Sequence, residues 1–251
     1  MHEVGFCSTF YTFGDIPSLW EAVAGRPKPR WPRHSHHDAA VGLTWRLKDD
    51  LPAGRAVYYG KLLHGRPCLV ALDVFPAFYT LIRGRQRARD YRMEYEAGRL
   101  TVSARRVMDA LMTEHPQYTR SLRASCFMLE ARQTREFERA MAELQQGLWI
   151  VKTEERYEPS FSYRWDLLEA WLPDAVAAGR RQSRDKAAQA LIERHVRAAV
   201  FSRRSRVRRL FGLTEEEVAC AVAALERRQA LVEATVDGWS GRWLIDASAV
   251  S

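Results

Sequence analysis

The sequence predicts an α+β fold, mainly helical, in which winged helix-turn-helix units follow one another along the chain. The first observation is that three helical segments followed by a two-stranded hairpin occur twice, about 80 residues apart. The second is that apolar residues recur at helical spacing before each hairpin and alternate with polar ones in the strands. We expect three units, at residues 1–98, 99–173 and 183–251, the first of them degenerate.

The first unit shows the pattern most weakly. Its predicted elements are helices at Ser18 to Ala24, His37 to Lys48 and Gly54 to Leu63, a strand at Leu69 to Val74, and a helix near Ala88 to Ala97. Gly25 to His36 is rich in proline and glycine and is predicted to be a loop.

The middle unit is clearer. A helix begins near Thr101 and is ended by Pro116, since proline cannot continue a helix. A short helix near Tyr118 to Cys126 and a third helix over Thr134 to Gln146 follow, and Gly147 ends the third one. The two strands are predicted at Leu148 to Lys152 and at Phe161 to Trp165, and the polar segment Glu154 to Ser160 between them is predicted to be the wing.

The last unit follows a junction at Pro173 to Gln182. A helix runs from Ser183 to about Val200, and an arginine-rich segment follows over Ser202 to Phe211. Thr214 and Glu217 form a capping box that opens the third helix. Turn residues at Asp237 to Gly241 then separate the strands of the closing hairpin.

Composition favours a polyanionic partner. The chain carries a formal charge of +8 and 47% hydrophobic residues, so it can bury a core and still attract phosphates, whose condensed counterions are released on binding. Most of the charge is arginine, whose planar fork of donors suits phosphate. The four cysteines are far apart in sequence and show no disulfide or metal-ligand spacing. Without an apolar span or a secretory leader, we expect a cytoplasmic, nucleoid-associated protein.

The strongest binding signal is a cluster of arginines in the last unit. No acidic residue occurs between Arg194 and Phe211, so these side chains have no local ion-pair partner and are predicted to contact a bound polyanion. The third helix of this unit opens with Glu215, Glu216 and Glu217, which would repel phosphates. The middle unit is therefore better suited to contact the DNA backbone. The candidate DNA-binding residues are Arg197, Arg203, Arg204, Arg206, Arg208 and Arg209 in the last unit, and Arg120, Arg123, Gln133 and Arg135 in the middle one.

The last unit resembles the C-terminal winged-helix unit of the AlkZ and YcaQ-type DNA glycosylases. The matching residues run from Ala188 to Leu244 and include Leu-Phe-Gly-Leu-Thr, Val-Ala-Ala-Leu-Glu and Leu-Val-Glu-Ala-Thr-Val-Asp-Gly. The resemblance covers roughly residues 100 to 246, with a weaker similarity in the order of elements before that. It implies a C-shaped arrangement of three winged-helix units around duplex DNA, and excision of alkylated or crosslinked bases. Active members carry an early Gln-x-Gln or Gln-x-Asp motif, whereas the first glutamine here is Gln86.

Three functions remain open from the sequence: a non-catalytic double-stranded DNA-binding protein in damage recognition, an active DNA glycosylase, and a transcription regulator. The catalytic residues, if any, are not identified by the sequence. No glycine-rich phosphate loop is present, so no cofactor is expected. The cluster His34, His36, His37 and Asp38 is interpreted as a polar loop without a metal. We expect a monomer whose partner is double-stranded DNA.

Overall fold

The computed structural model describes residues 3–11 and 14–250, and of His36 it describes only the backbone. The nine strands are β1 (Phe6–Ser8), β2 (Val57–Leu63), β3 (Arg66–Ala71), β4 (Gln117–Tyr118), β5 (Ile150–Arg156), β6 (Ser162–Leu167), β7 (Phe201–Ser202), β8 (Leu231–Thr235) and β9 (Arg242–Asp246). The twelve helices are α1 (Leu19–Ala24), α2 (Ala39–Ala53), α3 (Phe75–Arg83), α4 (Tyr91–Glu96), α5 (Val102–Thr113), α6 (Thr119–Ser125), α7 (Thr134–Gln146), α8 (Leu168–Trp171), α9 (Pro173–Arg181), α10 (Arg184–Ala199), α11 (Arg204–Phe211) and α12 (Glu215–Arg227). Both counts refer to these described residues.

The strands form three small antiparallel sheets with one shared topology. The strand orders are β1-β3-β2, β4-β6-β5 and β7-β9-β8, so in each sheet the first strand pairs with the third, which lies in the middle. In the middle and last sheets the second and third strands form a hairpin after three helices, as the sequence predicts for a winged-helix unit. The α+β class is therefore confirmed.

Several segments differ from the sequence predictions. β5 extends to Arg156, into the segment predicted to be the wing, and α3 (Phe75–Arg83) lies where no element was predicted. Gly54 to Leu63 was expected to be a helix, but its Val57–Leu63 portion is strand β2, paired with β3. β-Branched and aromatic residues such as Val57, Tyr58 and Tyr59 favour a strand, and pairing with β3 stabilises it. The junction at Pro173 to Gln182 is the helix α9, which proline starts without loss because its missing N–H lies in the first turn.

The first and last units share one hydrophobic core. Phe6 of β1 lies edge-on to both Phe78 of α3 and Phe211 of α11, with ring centroids 5.6 and 5.8 Å away. The same core continues through Leu191 of α10 to Leu244 of β9. Most of the middle unit packs in a second core around α5, α6 and α7, while its Val151 and Leu168 belong to the first core. Units that are distant in sequence are thus packed as one body.

A glycine allows α9 to approach α3 closely. A Cβ atom added at Gly179 would lie 2.9 Å from the backbone oxygen of Pro76 and 2.9 Å from Tyr79 Cδ1. Thr80 Oγ1 also donates a hydrogen bond to the oxygen of Gly179 at 2.8 Å, which fixes the two helices at this distance.

We therefore expect Gly179→Ala to lower the free energy of unfolding by about 1–3 kcal/mol, the usual cost of overpacking. Gly42→Ala is the matched control, since Gly42 lies in α2 with no atom within 4 Å of the added Cβ. This control should raise stability by up to about 1 kcal/mol through helix propensity. Urea denaturation measures both, and equal effects of the two substitutions would contradict the close approach.

Candidate functional site

The arginines of α11 point to two different sides of the helix. Arg204 and Arg208, four residues apart, line one surface depression together with Glu215 of α12. Arg206 and Arg209, three residues apart, approach the first unit, where their charges act on His64. The cluster seen in the sequence is therefore not one continuous row.

Four of the six arginines predicted in the last unit have acidic partners, which corrects the expectation that they lack ion pairs. The pairs are Arg197 with Glu193 (3.0 Å), Arg204 with Glu233 (2.7 Å), Arg206 with Asp15 (2.7 Å) and Arg208 with Glu215 (3.0 Å). Arg203 donates to the backbone oxygen of Ser240 and stacks over Trp243. Glu233 and Asp15 are distant in sequence, whereas Glu193 and Glu215 lie just outside the acid-free segment from Arg194 to Phe211. Arg209 is exposed and has no partner among the described residues.

In the middle unit, two of the predicted DNA-binding residues are held by hydrogen bonds within the protein and two are exposed. Arg123 donates to the backbone oxygens of Met128 and Glu130, and Gln133 donates to that of Phe127, so both stabilise the loop between α6 and α7. Arg120 and Arg135 are exposed, and within the described ranges they have no partner. One face of α7 packs against β2 of the first unit.

A basic groove lies between the first and last units. We use this name for the cleft that the β2–β3 hairpin forms with α11 and the end of α7, lined by Lys61, His64, Gln146 and Arg209. None of its described lining residues is acidic. Partial burial and the nearby charges of Arg206, Arg209 and Arg66 lower the pKa of His64, which indicates a local excess of positive charge.

A second polar site, the lysine cluster, lies where α2 meets β5. It consists of Lys48, Asp49, Lys152 and Glu155. Lys48 Nζ lies 2.5 Å from Asp49 Oδ1 and 2.7 Å from Glu155 Oε1, and Lys152 Nζ contacts the same Glu155 oxygen. The side chains of Lys48, Lys152 and Glu155 are 4, 9 and 5% exposed. Charged groups this deeply buried must be paired, and here two ammonium groups share one carboxylate oxygen.

Two cavities meet at the lysine cluster. The larger, about 410 Å³, is lined by Lys152 and by the rings of Tyr59, Phe137, Tyr163 and Trp165. The smaller, about 240 Å³, is lined by Lys48 and also by Tyr59. The larger cavity is within the range of about 300–1,000 Å³ typical of small-molecule sites. It also shares Lys61 with the basic groove.

Burial and pairing shift the pKa values in the lysine cluster in opposite directions. Burial lowers the pKa of Lys152, and contact with Glu155 offsets this only in part. Burial also opposes the charge of Lys48, but Asp49 and Glu155 raise its pKa overall. Burial likewise opposes the charge of Glu155, yet the two lysines lower its pKa to about 2. Titratable groups whose pKa values are driven apart are typical of functional sites.

Asp15 joins the first unit to the last through buried polar groups. Its Oδ2 lies 2.8 Å from His195 Nε2 and accepts a hydrogen bond from Ser202 Oγ at 3.2 Å, while Oδ1 accepts one from Arg206 Nε. Ser202 and Asp15 contact the same His195 nitrogen, so the histidine cannot pass a proton from one to the other as in a hydrolase triad. Burial opposes the charge of Asp15, but His195 and Arg206 hold its pKa well below the ordinary value.

We expect Asp15→Asn to lower the free energy of unfolding at pH 7 by about 1.5–3 kcal/mol, because hydrogen bonds to a charged group are lost. Since the folded pKa is depressed, the stabilisation is present above the unfolded value of about 3.9 and is lost as the pH falls below it. Urea titrations at several pH values should show the two proteins converging in acid. Asp50→Asn, at an exposed position of α2, should change stability by less than about 0.5 kcal/mol.

The fold and these sites define a class: an α+β protein of repeated helix-and-sheet units, with a basic groove and an aromatic cavity between units. The chain belongs to the AlkZ-related family, whose model matches residues 1–212. Its fold is similar to that of Streptomyces sahachiroi DNA glycosylase AlkZ, with a TM-score of 0.58 and 10% sequence identity. The match covers 92% of this chain and 60% of that one. No curated protein matches the chain in sequence.

The sequence reasoning missed the lysine cluster. Its members lie about 100 residues apart, and nothing in the local pattern around Lys48 or Lys152 joins them. One signal was available: only five of the 39 basic residues are lysines. The structure buries two of the five next to each other.

In the part of the chain that is described, no helix is both long and apolar enough to cross a membrane.

Proposed function

We propose that this protein binds double-stranded DNA along the basic groove. The observation that carries the proposal is the groove itself, where Lys61, His64 and Arg209 meet without an acidic neighbour among the described lining residues. A cleft lined by one sign of charge attracts a ligand of the opposite sign. The chain's net charge of +8 and its relation to DNA glycosylases support duplex DNA as that ligand.

The contacts are mainly with the phosphate backbone. α7 packs one face against β2, so it cannot lie fully in a major groove, although Arg135 remains exposed at its start. In the last unit, Glu215 and Glu217 at the start of α12 are paired with Arg208 and Arg184. Sequence reading by an inserted helix is therefore disfavoured, and with it a role as a transcription regulator.

The test is fluorescence anisotropy of a labelled duplex at several salt concentrations. If six phosphates are neutralised, the logarithm of the binding constant should fall against log salt with a slope of about −5. Arg209→Gln should weaken binding and reduce the magnitude of that slope by about 1.

Arg208→Gln is the matched control, because it removes the same charge from the same helix, but on the side that faces Glu215. It should leave the slope unchanged. Binding that does not respond to salt, or equal effects of the two substitutions, would remove the basic groove as the DNA site.

Base excision is a second candidate function. The aromatic cavity of about 410 Å³ next to the basic groove favours it, because an enzyme acting on a base must take it out of the helical stack and hold it between rings. Incubation with an alkylated or crosslinked duplex, followed by alkaline cleavage of abasic sites, tests this function. Strand cleavage no higher than in a reaction without protein would count against it.

A further inference from the structure

The buried lysines stand out because the chain otherwise relies on arginine. Arginine is the usual choice for a buried ion pair, since its fork of donors matches a carboxylate and it stays protonated. Lysine is the basic residue that can lose its proton and act as a nucleophile. Lys48 and Lys152 are buried together, so an ion pair alone does not account for the choice of residue.

We infer that Lys152 is an amine nucleophile that forms a Schiff base with the aldehyde of an abasic deoxyribose in duplex DNA. The inference rests on the proposed function, because it needs DNA in the basic groove. It adds a reaction that the base-excision candidate does not contain.

The cavity places the amine next to the basic groove. Lys152 lines the cavity of about 410 Å³, and Lys61 lines both this cavity and the basic groove. The ammonium of Lys152 lies 4.4 Å from the ring centroid of Tyr59 and 5.1 Å from that of Tyr163. These rings exclude water on two sides, which favours formation of an imine over its hydrolysis.

Burial and the neighbouring charges make the amine of Lys152 more nucleophilic. A lysine becomes nucleophilic when it is desolvated or lies next to another cation, and Lys152 meets both conditions because Lys48 shares its carboxylate oxygen. Burial and Lys48 accordingly lower the pKa of Lys152. Glu155 is in direct contact and accepts the proton that Lys152 releases; its pKa of about 2 depends on two charged lysines, so it rises once Lys152 is neutral.

The reaction balances with these groups. Glu155 takes a proton from Lys152 Nζ, whose lone pair forms a bond to C1′ of the ring-opened sugar. The resulting carbinolamine loses its hydroxyl as water, using the proton held by Glu155, and a protonated imine remains. Glu155, again a carboxylate, takes a proton from C2′; the C2′–H electron pair forms a double bond between C2′ and C3′, the bond from C3′ to the 3′ phosphate breaks, and the strand is cut. Water hydrolyses the imine, which releases the unsaturated aldehyde and restores Lys152.

The test uses a duplex with one abasic site, made by removing a uracil, incubated with the full chain and sodium borohydride. Borohydride reduces the imine to a secondary amine, so we expect a covalent protein–DNA adduct. Peptide mass spectrometry of the wild-type adduct should place the link at Lys152, which makes the test independent of any variant. Lys152→Arg should reduce the adduct to background, whereas Lys186→Arg, at an exposed position of α10, should retain it.

Anisotropy with the same abasic duplex separates the two proposals. Binding without an adduct overturns the inference and leaves the proposed function standing. Absence of binding overturns both. An adduct that maps to another lysine or to the N-terminal amine overturns the inference, even if the strand is cut.

Lys48 is a positioning residue in this reaction, and its role appears in the pH profile. Lys48→Met removes the neighbouring positive charge, so the pKa of Lys152 should rise. Adduct formation should then reach its half-maximum at a higher pH than in the wild-type protein. A lower yield with an unshifted profile would show that Lys48 serves only packing.

Discussion

Phe211→Ala is expected to lower the free energy of unfolding by about 3–5 kcal/mol, the usual cost of truncating a buried aromatic residue. Phe211 belongs to the last unit, but its ring packs against Phe6 and Phe78 of the first one, with centroids 5.8 and 5.9 Å away. It also lies edge-on to His195. The cavity left by the truncation would therefore open in the core that both units share.

The parts of the protein that are destabilised test the shared core more directly than the decrease in the free energy of unfolding does. Amide hydrogen exchange under native conditions should speed up in β1–β3 of the first unit as well as in β7–β9 of the last, because cooperative units open together. Phe137→Ala is the matched control, since Phe137 is 4% exposed in the separate core of the middle unit. Its effect should concentrate in β5 and β6. Faster exchange confined to the last unit after Phe211→Ala would show that the units fold independently.

The helices and hairpins of the last two units were predictable because their signals are local. The capping box at Thr214 and Glu217 is formed as expected, and α7 has the predicted bounds, Thr134 to Gln146. Side-chain hydrogen bonds at a helix start and apolar spacing along its face act within a few residues, so the sequence carries them. The helices and strands of the first unit were harder to predict from the sequence. β1 and β3 lie about 60 residues apart, so their pairing leaves no local signal in the sequence.

The pairing of the arginines shows where sequence reasoning fails. The segment around α11 contains no acids, which is correct as a statement about sequence. Glu233 and Asp15 reach Arg204 and Arg206 only after β8 and the N-terminal segment have folded against α11. Local charge patterning cannot detect such partners. The arginine cluster predicted from the sequence did include Arg209, which lines the basic groove.

The site residues found only in the structure are those that combine two distant elements. Lys48 lies in a helix and Lys152 in a strand, each in a stretch of mixed charge that looks like an ordinary solvated surface. Their burial follows from packing α2 against β5, a contact between the first and middle units. A sequence pattern carries no information on contacts between units, so the lysine cluster could be found only from the structure.

Glu155→Gln should be among the most damaging substitutions in the chain, lowering the free energy of unfolding by about 3–5 kcal/mol near neutral pH. The amide keeps the volume of the side chain, but two buried ammonium groups then face only Asp49. Raising the pH should recover part of the loss, because Lys152 has a lowered pKa and can shed its charge when its partner is gone. In the wild-type protein stability also rises with pH, but the change lies at low pH and comes from Glu155. The pKa of Glu155 is lowered to about 2, so its stabilising contribution is lost as the pH falls towards that value.

Glu154→Gln provides the control on the adjacent residue. Glu154 pairs with Arg164 at 3.3 Å with both side chains about 40% exposed, and an exposed pair of this kind contributes about 0–1 kcal/mol. Thermal and urea denaturation from pH 6 to pH 10 should therefore show a large, pH-dependent loss for Glu155→Gln and a small, constant one for Glu154→Gln. If the two variants behaved alike, solvent would have to reach the lysine cluster freely, and a desolvated amine at Lys152 would lose its physical basis.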